Sequence, residues 1–304
     1  MSTVEVTAGG TGAVYDRGYR PYEGERGGRE AARFALYRAT LRRALGIRRS
    51  WRQKVAPFVL LGIATIPAIV NVGIGYVTRN EIFQDRISII TYREYVGVSS
   101  SLLLFVALVA PDVICPDRRQ RVLPLMFARP LTGLDYVAAK LGAITTILFF
   151  FSFIPQVVLF VGSMLVSDSS FEYFKDHLDV PWKVTAAVAV LSIYYAVIGL
   201  AIASLTDRRI VAGAAVIGLF LVTSISSAIL VGEEPGWNDG SAAALLNVLA
   251  LPLELRDLIF LGHIHPESSM AGVSNGGLYA VLIYTGVLVV ALTTLLRRYR
   301  WVER

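Results

Sequence analysis

Apolar positions in this chain are gathered into six nearly unbroken runs: roughly Val55 to Val77, Tyr95 to Cys115, Leu141 to Val166, Val184 to Leu205, Ile210 to Val231 and Leu278 to Leu296. A helix rising 1.5 Å per residue needs about 20 apolar residues to cross ~30 Å of hydrocarbon. The pattern therefore predicts an all-α integral membrane protein with six transmembrane helices. Residues 1–54 are mostly polar and precede the first run. A cleaved signal peptide would place its apolar run nearer the start, so all six spans are expected to persist.

The pieces between and before the runs have their own patterns. Residues 1–28 show no apolar period and predict a flexible tail. Over 29–54, Phe34, Tyr37, Leu41, Ala44 and Leu45 share an arc of about 100° on a helical projection, with Arg38, Arg42 and Arg49 at its borders and Arg43 opposite. That arrangement predicts an amphipathic helix in the membrane interface, its arginines reaching lipid phosphates, leading through Trp51 into a transmembrane domain over 55–304. A solvated basic helix that docks on another protein is the competing reading. In the loop 232–277, the stretch Ala242 to Ile264 is apolar but interrupted by Pro252, Glu254, Arg256 and Asp257, which predicts two short helices at the outer leaflet in place of a span.

Charge supplies an orientation. Lys and Arg flanking spans stay on the cytoplasmic side. With residues 1–54 inside, the inner segments hold 23 Lys and Arg against 10 acids, counting Asp112 at the inner end of the second run, and the outer loops 6 against 13. Both termini are thus expected in the cytoplasm of a multi-pass protein of the cell membrane. The net charge of +6 then reflects membrane orientation and contact with anionic lipids, with no nucleic acid partner implied.

Several chemistries lack their residues. No glycine-rich loop ends in Lys followed by Ser or Thr, so nothing here would wrap a nucleotide's phosphates. His177, His263 and His265 all fall in expected outer loops, and no cluster of metal ligands forms on facing spans. The lone Cys115 rules out an internal disulfide. A nucleophile with a histidine on its own side of the membrane is not found, which disfavours an intramembrane enzyme. Carboxylates and histidines are missing from the span centres, which argues against an ion-coupled pump. Pro67 and Pro155 can kink their helices near Asn71 and Gln156; with Tyr194 and Tyr195 these are the candidates for lining a substrate path.

Between the second and third runs, segment 116–134 combines charge with exposed apolar character. Asp117, Arg118, Arg119 and Arg121 precede Leu123, Met126 and Phe127, and Arg129-Pro130 closes the stretch. Apolar residues ringed by arginines suit a docking surface for a soluble partner. This segment resembles the loop after the second span in permease subunits of type-2 ATP-binding-cassette (ABC) exporters. Its pattern there is an acid, a basic run, Gly-Thr-Leu, apolar residues, Arg-Pro-Leu and a Lys opening the third span. Asp117, Leu123, Arg129-Pro130-Leu131 and Lys140 match it; Arg121-Val122 stands where Gly-Thr is common, and Pro124 follows. The run Tyr15 to Gly24 looks like the start of such permeases in high-GC Gram-positive bacteria.

The resemblance implies that segment 116–134 forms a coupling helix seated on a separate ATPase subunit, which binds ATP and Mg while this chain holds no cofactor. Two permeases, identical or different, would assemble with two such ATPases and export an amphipathic, lipid-like or drug-like compound by alternating access. A membrane scaffold or sensor that docks a soluble partner without transport would use the same patch, and that alternative stays open.

Overall fold

The computed structural model describes residues 27–47, 51–77, 91–96, 99–127, 131–167, 169–232 and 242–303. Among the described residues the regular elements are all helical. They are α1 (Arg29–Ala44), α2 (Trp51–Val77), α3 (Tyr92–Val96), α4 (Ser99–Arg119), α5 (Leu123–Phe127), α6 (Gly133–Val166), α7 (Ser170–Asp176), α8 (Asp179–Ala203), α9 (Arg209–Val231), α10 (Leu251–Leu261) and α11 (Gly276–Glu303). A 3-10 turn, Ala242–Leu246, precedes α10.

Five of these, α2, α6, α8, α9 and α11, are long and apolar enough to cross a membrane. They fall on five of the six apolar runs and give the chain multi-pass membrane character. The remaining run, Tyr95 to Cys115, is divided between α3 and α4. Helix α4 carries Asp112, Asp117, Arg118 and Arg119 together with Pro111 and Pro116, so it is less apolar than the others.

Helix α8 lies at the centre. It packs against α4, α6, α9, α10 and α11, and Leu191, Tyr194, Tyr195 and Leu200 are fully buried. Small residues allow its neighbours to come close. A Cβ built on Gly199 of α8 would lie 2.3 Å from Val106 Cγ1 of α4, and one on Gly213 of α9 would lie 2.8 Å from the Ala107 carbonyl oxygen. The outer helices instead show aliphatic side chains outward, such as Ile66 of α2, Val222 of α9 and Val290 of α11. An apolar coat of this extent suits hydrocarbon better than water.

Two expected boundaries move. The interfacial helix expected over 29–54 ends at Ala44, because Gly46 takes φ 67°. There the Gly46 and Ile47 amides donate to the Arg43 and Arg42 carbonyls at 3.1 and 2.8 Å, a left-handed stop that glycine adopts at little cost. Trp51 therefore opens α2. The loop 232–277 contains its two expected short helices as the 3-10 turn and α10, but α10 packs on α8 and α11 and buries Leu251, Glu254 and Asp257.

Tertiary contacts fix the two ends of the bundle. The end of α4, the start of α6, the end of α8, the start of α9 and the last turns of α11 meet at one end, together with α1. There Arg118 donates to the Ser204 carbonyl, Arg209 pairs with Asp112 and the Tyr136 ring packs tilted against Tyr299 with centroids 4.8 Å apart. At the opposite end Gln156 of α6 donates to the Tyr92 carbonyl of α3 at 3.0 Å, and Arg93 lies 3.7 Å from Asp257 of α10.

Candidate functional site

At the first of these ends a buried ionic cluster joins three elements, α1, α4 and α6. Asp117, 3% exposed, sits in the last turn of α4. Its Oδ2 accepts from Lys140 Nζ at 2.7 Å and from the Tyr136 hydroxyl at 3.0 Å, both on α6. Its Oδ1 accepts from Arg43 Nη1 of α1 at 2.8 Å. Lys140 also donates to the Val113 carbonyl at 3.1 Å. Burial by itself raises a carboxyl's pKa, but here the neighbouring Lys140 ammonium, Arg43 and the Tyr136 hydroxyl outweigh it and hold Asp117 below its ordinary value.

A second anchor lies one turn of α6 earlier. Thr132 caps α6 reciprocally with Asp135: the Asp135 amide donates to Thr132 Oγ1 at 3.3 Å and the Thr132 amide to Asp135 Oδ2 at 3.0 Å. Asp135 also pairs with Arg29 at 2.8 Å and Arg33 at 3.1 Å. Together Arg29, Arg33 and Arg43 share an arc of about 100° on α1 with the buried Thr40 and Ala44. The docked face of α1 is therefore partly ionic. Tyr37, at its margin, donates to Thr146 at 3.0 Å. Phe34, Arg38 and Arg42 point outward, with the Arg38 guanidinium 5.6 Å from the Phe34 ring centroid, while Leu41 packs on the core.

The segment between α4 and α6 hangs from these anchors. Helix α4 ends at Arg119 and the chain is turned off at Arg121, whose φ of 52° is left-handed; the Val122 amide donates to the Asp117 carbonyl at 3.1 Å and the Arg121 amide to the Arg118 carbonyl at 3.0 Å. This is the position where the resembling pattern has glycine, which adopts such a φ at little cost. The expected docking residues then separate by role. Leu123 is buried, and Met126 and Phe127 are half-buried against the core, with Phe127 edge-on to Tyr136 at 6.1 Å. Asp117 is internal, and Arg118 turns inward to Ser204 and to Asp207 at 3.1 Å. Outward-facing positions are Arg119, Gln120, Arg121 and Pro124. The expected exposed apolar patch is thus largely turned into the protein, with a basic rim outside. Arg129 and Pro130 lie outside the described residues, as does the side chain of Trp51.

The candidates for a substrate path fall into two separate places. Pro67, Asn71, Pro155 and Gln156 lie on α2 and α6, with Asn71 and Gln156 buried. The cavity touching Pro155 has about 10 Å³ of room, enough for one water at most. Tyr194 and Tyr195 belong to the core of α8. Tyr194 donates to the Val248 carbonyl at 2.8 Å and stacks on Tyr284 at 4.9 Å; Tyr195 reaches the Leu249 carbonyl at 3.5 Å. Both hold the turn before α10 against α8.

A smaller polar cluster occupies the opposite end. Glu254 of α10 accepts from Ser268 Oγ, and Arg256 Nε donates to Asp257 Oδ1 at 2.8 Å. Burial, reinforced by Asp257, raises the Glu254 carboxyl above its ordinary range against the pull of Ser268, Arg256 and His265. No group of three or more metal-ligating side chains occurs among the described residues.

The sequence reading missed Arg29, Arg33, Arg43, Asp135, Tyr136 and Tyr299. Of these only Asp135 had a local signal, the Thr132-x-x-Asp135 capping pattern. Comparison of the chain with protein-family models finds no match, and comparison with curated proteins finds none either.

Proposed function

We propose that this chain is the membrane subunit of an ATP-driven exporter, with the run Tyr95 to Cys115 as a sixth span and the turn that follows it, through α5 to the start of α6, as the seat of a separate ATPase. One observation carries the reading. The turn is tied at Asp117 to α1 and α6 at once, and the rings of Phe127, Tyr136 and Tyr299 pack edge-on and then tilted in sequence from α5 through α6 to α11. A push on α5 would therefore move α1, α4, α6 and α11 together, because a buried ion pair resists separation by several kcal/mol. A loose tether for a scaffold would not need that stiffness.

In this reading Arg119 and Arg121 meet acidic groups of the ATPase, and Leu123 and Phe127 pass displacement inward. The nucleotide is held by the partner, in keeping with the missing phosphate-binding loop. The cargo is amphipathic or lipid-like, since the membrane-facing helices are aliphatic and the span centres lack charge.

The test is purification of the tagged chain from its own host, with identification of its partners. The expected companion is a nucleotide-hydrolysing subunit whose turnover rises when the two are reconstituted. The double variant R119E/R121E should lose that companion while inserting and melting like the parent. Phe127→Asp would be a poorer probe, because Phe127 packs on Tyr136. Uphill transport by the purified chain alone, or full retention of the ATPase by R119E/R121E, would overturn the proposal.

A further inference from the structure

Helices α8, α9 and α11 enclose a groove that the coupling argument does not use. It has a volume of about 650 Å³, opens outward and is walled by Ile202 and Leu205 of α8, Leu219 of α9, and Ile283, Val287 and Val290 of α11. That volume lies within the ~300 to 1,000 Å³ of small-molecule sites. The groove's hydroxyl, on Thr294, donates to the Val290 carbonyl at 2.8 Å, so the walls offer hydrocarbon and nothing else. Along α11 the lining runs from Leu282 to Thr294, about 18 Å at 1.5 Å per residue. One leaflet contributes ~15 Å of hydrocarbon.

Followed along the chain toward one end, two of the groove's walls run on into arginines. Leu205 lies shortly before Arg208, and the α11 stripe of Ile283, Val287, Val290 and Thr294 continues at helical spacing to Arg297 and Arg298, both exposed. Among the described residues, Arg118 and Arg209 have carboxylate partners in Asp207 and Asp112. Arg208, Arg297 and Arg298 have none there.

We propose that the groove is a binding site for an anionic phospholipid, its acyl chain lying along α11 and its phosphate among Arg208, Arg297 and Arg298. An apolar slot of one leaflet's depth, ending beneath uncompensated guanidinium groups, matches both parts of such a lipid. A second copy of the chain fits less well. Two copies in one membrane, related by an axis along its normal, would bring the same arginine-rich ends side by side. The inference rests on the multi-pass membrane character and not on the exporter reading.

The experiment reconstitutes the full chain in nanodiscs with equal amounts of phosphatidylglycerol and phosphatidylcholine, extracts it mildly and counts retained lipids by native mass spectrometry. Phosphatidylglycerol should be retained in preference, by at least about tenfold. A Cβ at Gly286 would meet nothing within 4 Å, so Gly286→Trp can grow into the groove and should abolish retention of either lipid. The surface variant R208Q/R297Q/R298Q, which leaves the groove intact, should keep a lipid and lose the preference. If Gly286→Trp does not insert, the arginine variant decides alone. Retention in the bath ratio by the parent chain, unchanged preference in the arginine variant, or a change of oligomeric state without loss of lipid in Gly286→Trp would each overturn the site.

Discussion

Asp117 concentrates the chemistry of the α1 end in one carboxylate. Lys140 and Arg43 are cations held there by a single shared anion, so removing its charge leaves them uncompensated in a buried site. Asp117→Asn should cost about 3 to 5 kcal/mol, read as a lower melting temperature in detergent. The pH dependence has a fixed sign. A carboxyl held below its ordinary value of 3.8 contributes fully above that value, and the contribution is lost as pH falls through the lower native value. The melting difference between parent and Asp117→Asn should therefore be constant near neutrality and shrink only in strong acid. A gap that closes already around neutral pH would contradict the assignment. The acid itself was legible from the charged end of segment 116–134. Its burial was not, because nothing in the local sequence announces that Arg43 lies against it.

Among the elements, α9 offers a controlled comparison within one helix. A methyl on Gly213 would meet the Ala107 backbone carbonyl of α4 at 2.8 Å, whereas one on Gly218 would meet nothing within 4 Å. Backbone cannot swing aside as a side chain can, so Gly213→Ala should destabilise the α4–α9 contact. Gly218→Ala should be neutral or stabilising by up to about 1 kcal/mol, since alanine is the better helix former. Thermal unfolding of the two variants checks this, and equal effects would show that α4 and α9 do not pack this closely. Helix existence at this scale followed from the apolar runs. Helix ends did not follow as directly: the amphipathic pattern carried α1 past Gly46 to residue 54, whereas the left-handed φ of Gly46 stops it at Ala44. The projection put Arg43 on the polar face; the structure makes that face the docked one, because Asp117 and Asp135 lie opposite it.

For the molecule as a whole, the proposed orientation puts α1, α5 and the last turns of α11 in the cytoplasm and the α7 and α10 end outside. A cysteine at Ser169 should then react with an impermeant thiol reagent added to intact cells, and one at Arg208 should not. The native Cys115 is fully buried and should give little background. Labelling at Arg208 alone would reverse the topology, and with it the side on which an ATPase could dock.

Six apolar runs, the bias of basic residues between them and the charged segment after the second run are properties of the linear chain. Hydrocarbon thickness and the cost of an uncompensated charge act on short stretches, whatever they later touch, so the all-helical, multi-pass character could be read directly from the sequence. Which face of α1 is docked, which arginines are spent on carboxylates, and whether Leu123 and Phe127 point inward or outward depend on residues far apart in sequence meeting across helices. Arg43 and Asp117, or Tyr136 and Tyr299, become neighbours only through packing around α8, and no local period encodes that meeting.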